Sequence, residues 1–146
     1  MTVVKHTFLF REGVWRSEGL LTDRHEHQYP VEGEINIRQE SDRLVSDIFF
    51  ILQAETPSCY RRKMEMPVLH PDYNAWNEWD MLAGTVEGKA YLLGEHIILT
   101  YETGRGWLSG VENLERINDV YYRCFGKVFV REERYASWML DFIRIQ

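Results

Sequence analysis

The stretch VEGEINIR, residues 31–38, alternates strictly between apolar or small residues and polar ones. Successive side chains of a β-strand point to opposite faces, so this period of two predicts a strand with one buried and one solvated face. The period continues through residues 44–52 and 60–66. The predicted inward residues of these segments are Leu44, Ser46, Ile48, Phe50, Leu52, Tyr60, Arg62, Met64 and Met66.

The second half of the chain repeats this pattern between short turn signals. They are Gly94-Glu95, residues 103–106, Asn118-Asp119 and Glu132-Glu133, with β-branched and aromatic runs between them. The connections are too short for helical crossovers, so consecutive strands should be antiparallel neighbours. Closure would remove the exposed edges of so large a sheet. The sequence therefore predicts an all-β fold, a closed antiparallel up-and-down β-barrel of 8–10 strands, in a single domain over residues 1–146.

One segment, PVLHPDYNAWNEWD at residues 67–80, interrupts the strand pattern. Pro67 and Pro71 disfavour a central strand, and Asp72 could cap a short helix that carries Trp76 and Trp79. We expect this segment to pack across one end of the barrel. A homodimer formed through the two tryptophans is the alternative, because Trp is enriched at binding surfaces.

Composition excludes several classes of function. The 146 residues carry a net charge of −6, which argues against a nucleic-acid partner. The longest apolar run, Ile48–Leu52, is too short to cross a membrane, and the N-terminus does not resemble a signal peptide. Cys59 and Cys124 are therefore expected to be free thiols. We expect a cytoplasmic protein with no membrane partner.

The motif Gly13-Val14-Trp15 begins the first predicted strand, and Arg144 lies near the end of the last one. This arrangement resembles the calycin pattern shared by lipocalins and fatty-acid-binding proteins. The resemblance implies that Trp15 closes one end of the barrel, that Arg144 packs over it, and that a small apolar ligand binds inside. A Thr-Asp-Tyr type turn, a disulfide and room for a helical lid are missing. The resemblance is therefore to an intracellular calycin-like domain without a named ligand class.

Arginines at inward positions are the clearest candidate binding residues. Arg62 shares a face with Tyr60 and Met64, and a buried guanidinium needs a carboxylate or phosphate partner. One interpretation pairs Arg62 with Glu112 as a polar plug without a ligand. The other has arginines anchor the acidic head of an apolar ligand, as the resemblance to fatty-acid-binding proteins implies. The candidate ligand-binding residues are Tyr60, Arg62, Trp79, Glu112, Tyr122 and Arg123, of which Tyr122 and Arg123 face opposite ways and cannot both be internal.

The stretch DRHEHQYPVEGE, residues 23–34, contains a candidate metal site. In an extended segment His25 and His27 project to the same side, and imidazole with carboxylate suits zinc or iron. Further ligands would have to come from Glu32, Glu34, His70 or His96. The alternative is a solvated turn that joins the first two strands. We expect the turn, and no metal.

The expected function is non-catalytic binding of a small, largely apolar ligand with an acidic group, without a cofactor. No serine lies in an elbow motif, and neither cysteine has a neighbouring histidine in the sequence. Two alternatives stay open. One is a barrel enzyme, an isomerase or a cofactor lyase, for instance with His96 and Glu112 as an acid–base pair. The other is metal or haem binding through His25 and His27.

Overall fold

The computed structural model describes residues 5–67, 73–80 and 84–146, with the backbone alone for 73–80. Alternation of apolar and polar residues produces strands through most of this part of the chain, from residue 13 onward. The ten strands are β1 Gly13–Asp23, β2 Gln28–Glu40, β3 Arg43–Leu52, β4 Ser58–Pro67, β5 Tyr73–Asp80, β6 Gly84–Leu93, β7 His96–Thr103, β8 Leu108–Asn118, β9 Tyr121–Val130 and β10 Glu133–Arg144.

Every strand pairs antiparallel with its neighbours in sequence, and β1 also pairs with β10. The β1–β10 register runs from Trp15 opposite Arg144 to Asp23 opposite Ala136. The hydrogen-bonded ladders thus pass around the strands and return to the first one, forming a barrel. The prediction of an all-β, antiparallel, up-and-down sheet is confirmed. No helix in the described part of the chain is long and apolar enough to cross a membrane.

The prediction of a short helix after Asp72 is wrong, because residues Tyr73–Asp80 form β5. This strand pairs with β6 from Tyr73 opposite Tyr91 to Asp80 opposite Gly84. Ladder hydrogen bonds to a neighbouring strand outweigh a weak capping signal, and aromatic residues favour strands. Asp72 lies outside the described residues, as do the side chains of Trp76 and Trp79. The two expectations for these tryptophans stay predictions.

Alternate side chains of the strands point into the barrel and form its core, as the pattern of residues 31–38 predicts. Val31, Ile35 and Ile37 are buried, whereas Glu32, Glu34 and Asn36 are exposed. The same alternation buries Arg62, Met64 and Met66 on β4. The barrel interior therefore contains mostly apolar side chains with a few polar groups among them.

One end of the barrel is closed by His6–Phe10, which precede β1 and are all buried; we call this segment the plug. The ring of Phe8 lies 5.1 Å from that of Trp15, 5.7 Å from that of Tyr122 and 4.8 Å from that of Phe142, between centroids. The plug thus closes this end by aromatic packing.

Trp15 and Arg144, which the resemblance assigns to barrel closure, are direct neighbours across β1 and β10. Trp15 is fully buried at the closed end. Arg144 donates hydrogen bonds to two backbone carbonyls, with Nε 3.0 Å from the oxygen of Gln146 and Nη2 3.3 Å from that of Glu12. Arg144 therefore links residue Glu12, just before β1, to Gln146, just after β10, at the end of the barrel that contains Trp15.

Candidate functional site

The candidate site lies at the end of the barrel opposite the plug, which we call the mouth. The turns at residues 24–27, 53–57, 104–107 and 131–132 surround it. The alternation of each strand points several apolar side chains inward here, yet they stay partly exposed. These side chains are Leu21, Phe50, Leu52, Leu108 and Trp138. Inward apolar residues that keep contact with solvent indicate that the interior is accessible from the mouth.

Three aromatic rings line the interior by lying against glycines of the neighbouring strand. The directly opposed pairs are Phe50 with Gly33, Tyr101 with Gly110, and Trp138 with Gly126. A methyl group added at any of these glycines would overlap the opposite ring. The rings therefore lie along the wall and do not project across the interior. Phe50 and Tyr60 are nearly parallel, at 11° with centroids 6.4 Å apart.

A buried ion pair lies deeper in the barrel. Nη1 of Arg62 on β4 is 3.0 Å from Oε1 of Glu112 on β8, and the two side chains are 8% and 7% exposed. The Arg62 guanidinium is also 5.8 Å from the ring centroid of Tyr101. Two charges so far from water are tolerated because each neutralises the other. The geometry agrees with the interpretation that Arg62 and Glu112 pair with each other as a polar group inside the barrel, separate from the plug at the closed end.

Cys124 extends this polar group towards Trp138. Its Sγ is buried and lies 3.8 Å from Oε2 of Glu112. Burial, together with the charge of Glu112, raises the pKa of the Cys124 thiol well above its ordinary value, although a hydrogen bond from Trp138 acts in the opposite direction. The thiol therefore stays protonated and is a poor nucleophile.

The six candidate ligand-binding residues are not all in one place. Tyr60, Arg62 and Glu112 have inward positions between the mouth and the middle of the barrel. Tyr122 also points inward but lies at the closed end, where its hydroxyl accepts a hydrogen bond from the backbone N–H of Thr7 at 3.1 Å. The side chain of Trp79 lies outside the described residues.

Arg123 points away from the interior, so the prediction that it binds a ligand inside the barrel is wrong, and of Tyr122 and Arg123 only Tyr122 is internal. Its side chain is 49% exposed, and Nε lies 3.8 Å from Oδ1 of Asp141 on the outside of the barrel. The buried neighbour Tyr122 sets the alternation of β9, so Arg123 must face solvent.

Sequence reasoning missed Tyr101, Cys124 and Trp138 as residues of this site. Each lies at an inward position that strand alternation alone could reveal. What it could not reveal is the register, which places Trp138 opposite Gly126 and brings Glu112 near Cys124. Aromatic residues on one strand and inward glycines on the next were the available signal.

His25 and His27 lie in the exposed turn between β1 and β2, as the turn interpretation expects. Oδ1 of Asp23 accepts a hydrogen bond from the backbone N–H of His25 at 2.8 Å and another from that of His27 at 3.0 Å. No group of three His, Cys, Asp or Glu that could bind a metal occurs within the described ranges, and His70 lies outside them. The expectation that these histidines bind no metal stays a prediction.

The acid–base pair of His96 with Glu112 is not formed. Nδ1 of His96 lies 2.9 Å from Oδ1 of Asn113, and Glu112 is paired with Arg62. Adjacent residues of β8 face opposite sides of the sheet, so Asn113 and not Glu112 reaches His96.

Comparison with known proteins gives a likeness of fold. No protein-family model matches the chain, and no curated protein matches it. Among solved structures, the S-type phycobiliprotein lyase CPES from Guillardia theta superposes with a TM-score of 0.67 and 7% sequence identity, over 92% of this chain and 88% of that one. At such low identity the match shows the fold alone.

Proposed function

We propose that this protein is a calycin-like barrel that binds a small, flat, largely apolar ligand through the mouth. One observation carries the proposal: inward apolar side chains at the mouth, Phe50 and Trp138 among them, stay partly exposed. Rings that lie along the walls favour a flat molecule, because it can stack on them with a large contact area. Ligand pockets of this kind are mainly apolar with a few polar groups.

The polar end of the ligand is proposed to contact Arg62 and Glu112. Glu112 already neutralises Arg62, so a ligand carboxylate would have to displace Glu112 or leave it as an unpaired buried charge. The pair offers an N–H donor beside a carboxylate acceptor. A neutral group with adjacent C=O and N–H, such as an amide, complements both atoms. We therefore propose a neutral polar group in place of the acidic group expected from the sequence.

A barrel lyase is the second candidate, and the name of the structural neighbour, a phycobiliprotein lyase, favours it. The chemistry would then belong to Glu112, whose carboxylate lies beside the proposed ligand and would act as the general base. Cys124 is not suited to covalent catalysis, because its pKa is raised.

The first experiment titrates the protein with Nile red, a neutral flat dye, and with anilinonaphthalene sulfonate, an anionic one. We expect saturable Nile red binding that is weakened about tenfold, roughly 1.4 kcal/mol, in Trp138→Leu. Tyr91→Leu, on the outer face of β6, is the matched control and should bind as the wild type does. Equal affinities of wild type and Trp138→Leu would contradict the site. Preference for the anionic dye would restore the acidic ligand.

Native mass spectrometry of gently purified protein then identifies any molecule that co-purifies. Incubation of this molecule with wild type and Glu112→Gln separates the two candidates. A binding protein returns the molecule unchanged in both cases. A lyase converts it, and Glu112→Gln should lose conversion while still binding the molecule more weakly, because the amide oxygen can accept a hydrogen bond but no longer neutralises Arg62.

A further inference from the structure

Polar contacts between the plug and the barrel meet at His6, which is 2% exposed. Its Nε2 lies 2.9 Å from the carbonyl oxygen of Gly94, and its Nδ1 lies 2.7 Å from the hydroxyl oxygen of Tyr122. The same hydroxyl accepts a hydrogen bond from the backbone N–H of Thr7 at 3.1 Å. Because the Gly94 carbonyl can only accept, the ring serves both partners with a single proton, on Nε2. The contacts of the plug therefore require a neutral imidazole.

The charges around this ring leave no counter-ion for a second proton. The charged side chains that act on it are Lys5, Glu95 and Arg116. Glu95 pairs with Lys5 through one carboxylate oxygen, and its other oxygen lies 3.2 Å from Nη1 of Arg116. Arg116 also pairs with Asp119. Both carboxylates in this described group are thus already neutralised, so an imidazolium would be a buried positive charge without a partner.

The plug can separate from the barrel without breaking the sheet. The ladders of β1 begin at Gly13, so residues 6–10 belong to no strand pairing in the described part of the chain. Leu9 has a φ of +66°, in the left-handed region that leucine rarely adopts. Such a conformation persists only while the surrounding contacts hold it. Loss of the contacts at His6 therefore favours opening of the plug as a local unit.

We propose that the plug is an acid-operated gate, which is closed while His6 is neutral and opens when the ring takes up a second proton. In the open state the ring is solvated and can carry the positive charge, so acid favours this state. The rings uncovered by opening are those on which Phe8 packs, namely Trp15, Tyr122 and Phe142. The gate would thus open the deep end of the barrel, whether or not a ligand is bound.

Hydrogen exchange followed by mass spectrometry measures this opening on the whole, ligand-free chain. Burial lowers the pKa of His6 from its ordinary 6.5. The protection factors of residues 7–10, corrected for the intrinsic exchange rate, should therefore fall below pH 6.5 by up to about tenfold per pH unit, the limit for one proton. Those of β1 and β10 should stay constant. A lower limit of about pH 5 keeps Glu95 ionised, because hydrogen bonds from Lys5 and Arg116 lower its pKa from 4.5.

Two variants identify the group that titrates. His6→Gln should abolish the pH dependence, although we expect its plug to be less protected at every pH. His96→Gln is the matched control, because His96 lies two residues after Gly94 but its ring bonds to Asn113 on the outer face. This variant should retain the wild-type pH dependence.

Three results would overturn the gate: plug protection in the wild type that does not change with pH, the same pH dependence in His6→Gln, or a joint loss of protection in the plug and β1. The last result would mean that acid unfolds the whole barrel. The measurement uses no dye, so a failure to bind Nile red would contradict the proposed function alone.

Discussion

The hydroxyl oxygen of Tyr122 lies 2.7 Å from Nδ1 of His6, and Nε2 of the same ring lies 2.9 Å from the carbonyl oxygen of Gly94. A carbonyl only accepts, so Nε2 carries the proton and Nδ1 accepts the hydrogen of the Tyr122 hydroxyl. The neutral ring thus connects the plug to β9 and to the turn after β6. A protonated ring would leave the Tyr122 hydroxyl hydrogen without this acceptor.

The state of His6 predicts a loss of stability at acid pH. Burial lowers the pKa of His6 below 6.5, and the positive charges of Lys5 and Arg116 lower it further. The hydrogen bond to Gly94 and the negative charge of Glu95 raise this pKa, but by less than burial lowers it. The unfolded chain therefore binds this proton first as the pH falls. Stability due to His6 should be complete above pH 6.5 and decrease as the pH falls towards the folded-state pKa.

Urea denaturation across this pH range, on wild type and His6→Gln, measures the effect. The amide of Gln can replace the bond to Gly94 but does not titrate. The wild type should lose stability below neutral pH more steeply than the variant. Parallel curves would show that His6 does not titrate on unfolding.

Trp15 should be among the most sensitive positions for folding. It is 0% exposed, and its ring contacts Phe8 and Tyr122 edge to face at 5.1 and 5.7 Å. Trp15→Ala should lower the free energy of unfolding by roughly 3–5 kcal/mol. Nε1 of Trp15 is buried and has no hydrogen-bond partner among the described residues. Trp15→Phe removes this unsatisfied donor and should be clearly milder in denaturant titrations. An unchanged midpoint for Trp15→Ala would show that Trp15 does not close the barrel.

The sequence predicts best what depends on alternation alone. The inward positions of Ile35 and Met64, and the short connections after β6 and β7, follow from period two and turn residues. The calycin resemblance also predicted correctly that Trp15 and Arg144 lie together. These features are local, or follow from the first and last strands being neighbours in a closed sheet.

The remaining features depend on contacts distant in the sequence. His6–Phe10 has no periodic pattern, and its burial follows from the space left by Trp15 and Tyr122. Cys124 near Glu112, and Trp138 against Gly126, depend on the registers of β8, β9 and β10. A shift of one residue would move each of these side chains to the other face, so the candidate site could be predicted only in part.

Removal of one member of the buried ion pair should be much worse than removal of both. Arg62→Met leaves Glu112 charged and buried without its partner, which should cost about 3–5 kcal/mol. In Arg62→Met/Glu112→Gln most of that loss should be recovered. Arg43→Met, which breaks the exposed pair with Glu65, is the control and should cost less than about 1 kcal/mol. Additive effects in a denaturant double-mutant cycle would contradict the coupling.

His25 and His27 are expected to bind no structural metal. Asp23 accepts hydrogen bonds from the backbone of both residues, so the turn is ordered without an ion. Elemental analysis of protein purified without an affinity tag should find no stoichiometric zinc or iron. The free energy of unfolding of His25→Ala/His27→Ala should lie within about 0.5 kcal/mol of the wild-type value. Metal that is lost in this variant, or a Soret band, would contradict the prediction.

Gly126 should be required for the position of Trp138. A methyl group at residue 126 would overlap the indole of Trp138, so Gly126→Ala must push the ring away from the wall. We expect a loss of roughly 1–3 kcal/mol in stability and a shift in tryptophan emission. Binding of Nile red should also weaken, because the displaced ring would enter the proposed ligand space. Gly104→Ala is the matched control, since no described residue other than its chain neighbours lies within 4 Å of an added methyl group there. If Gly126→Ala and Gly104→Ala bind the dye equally well, Trp138 does not line the binding site.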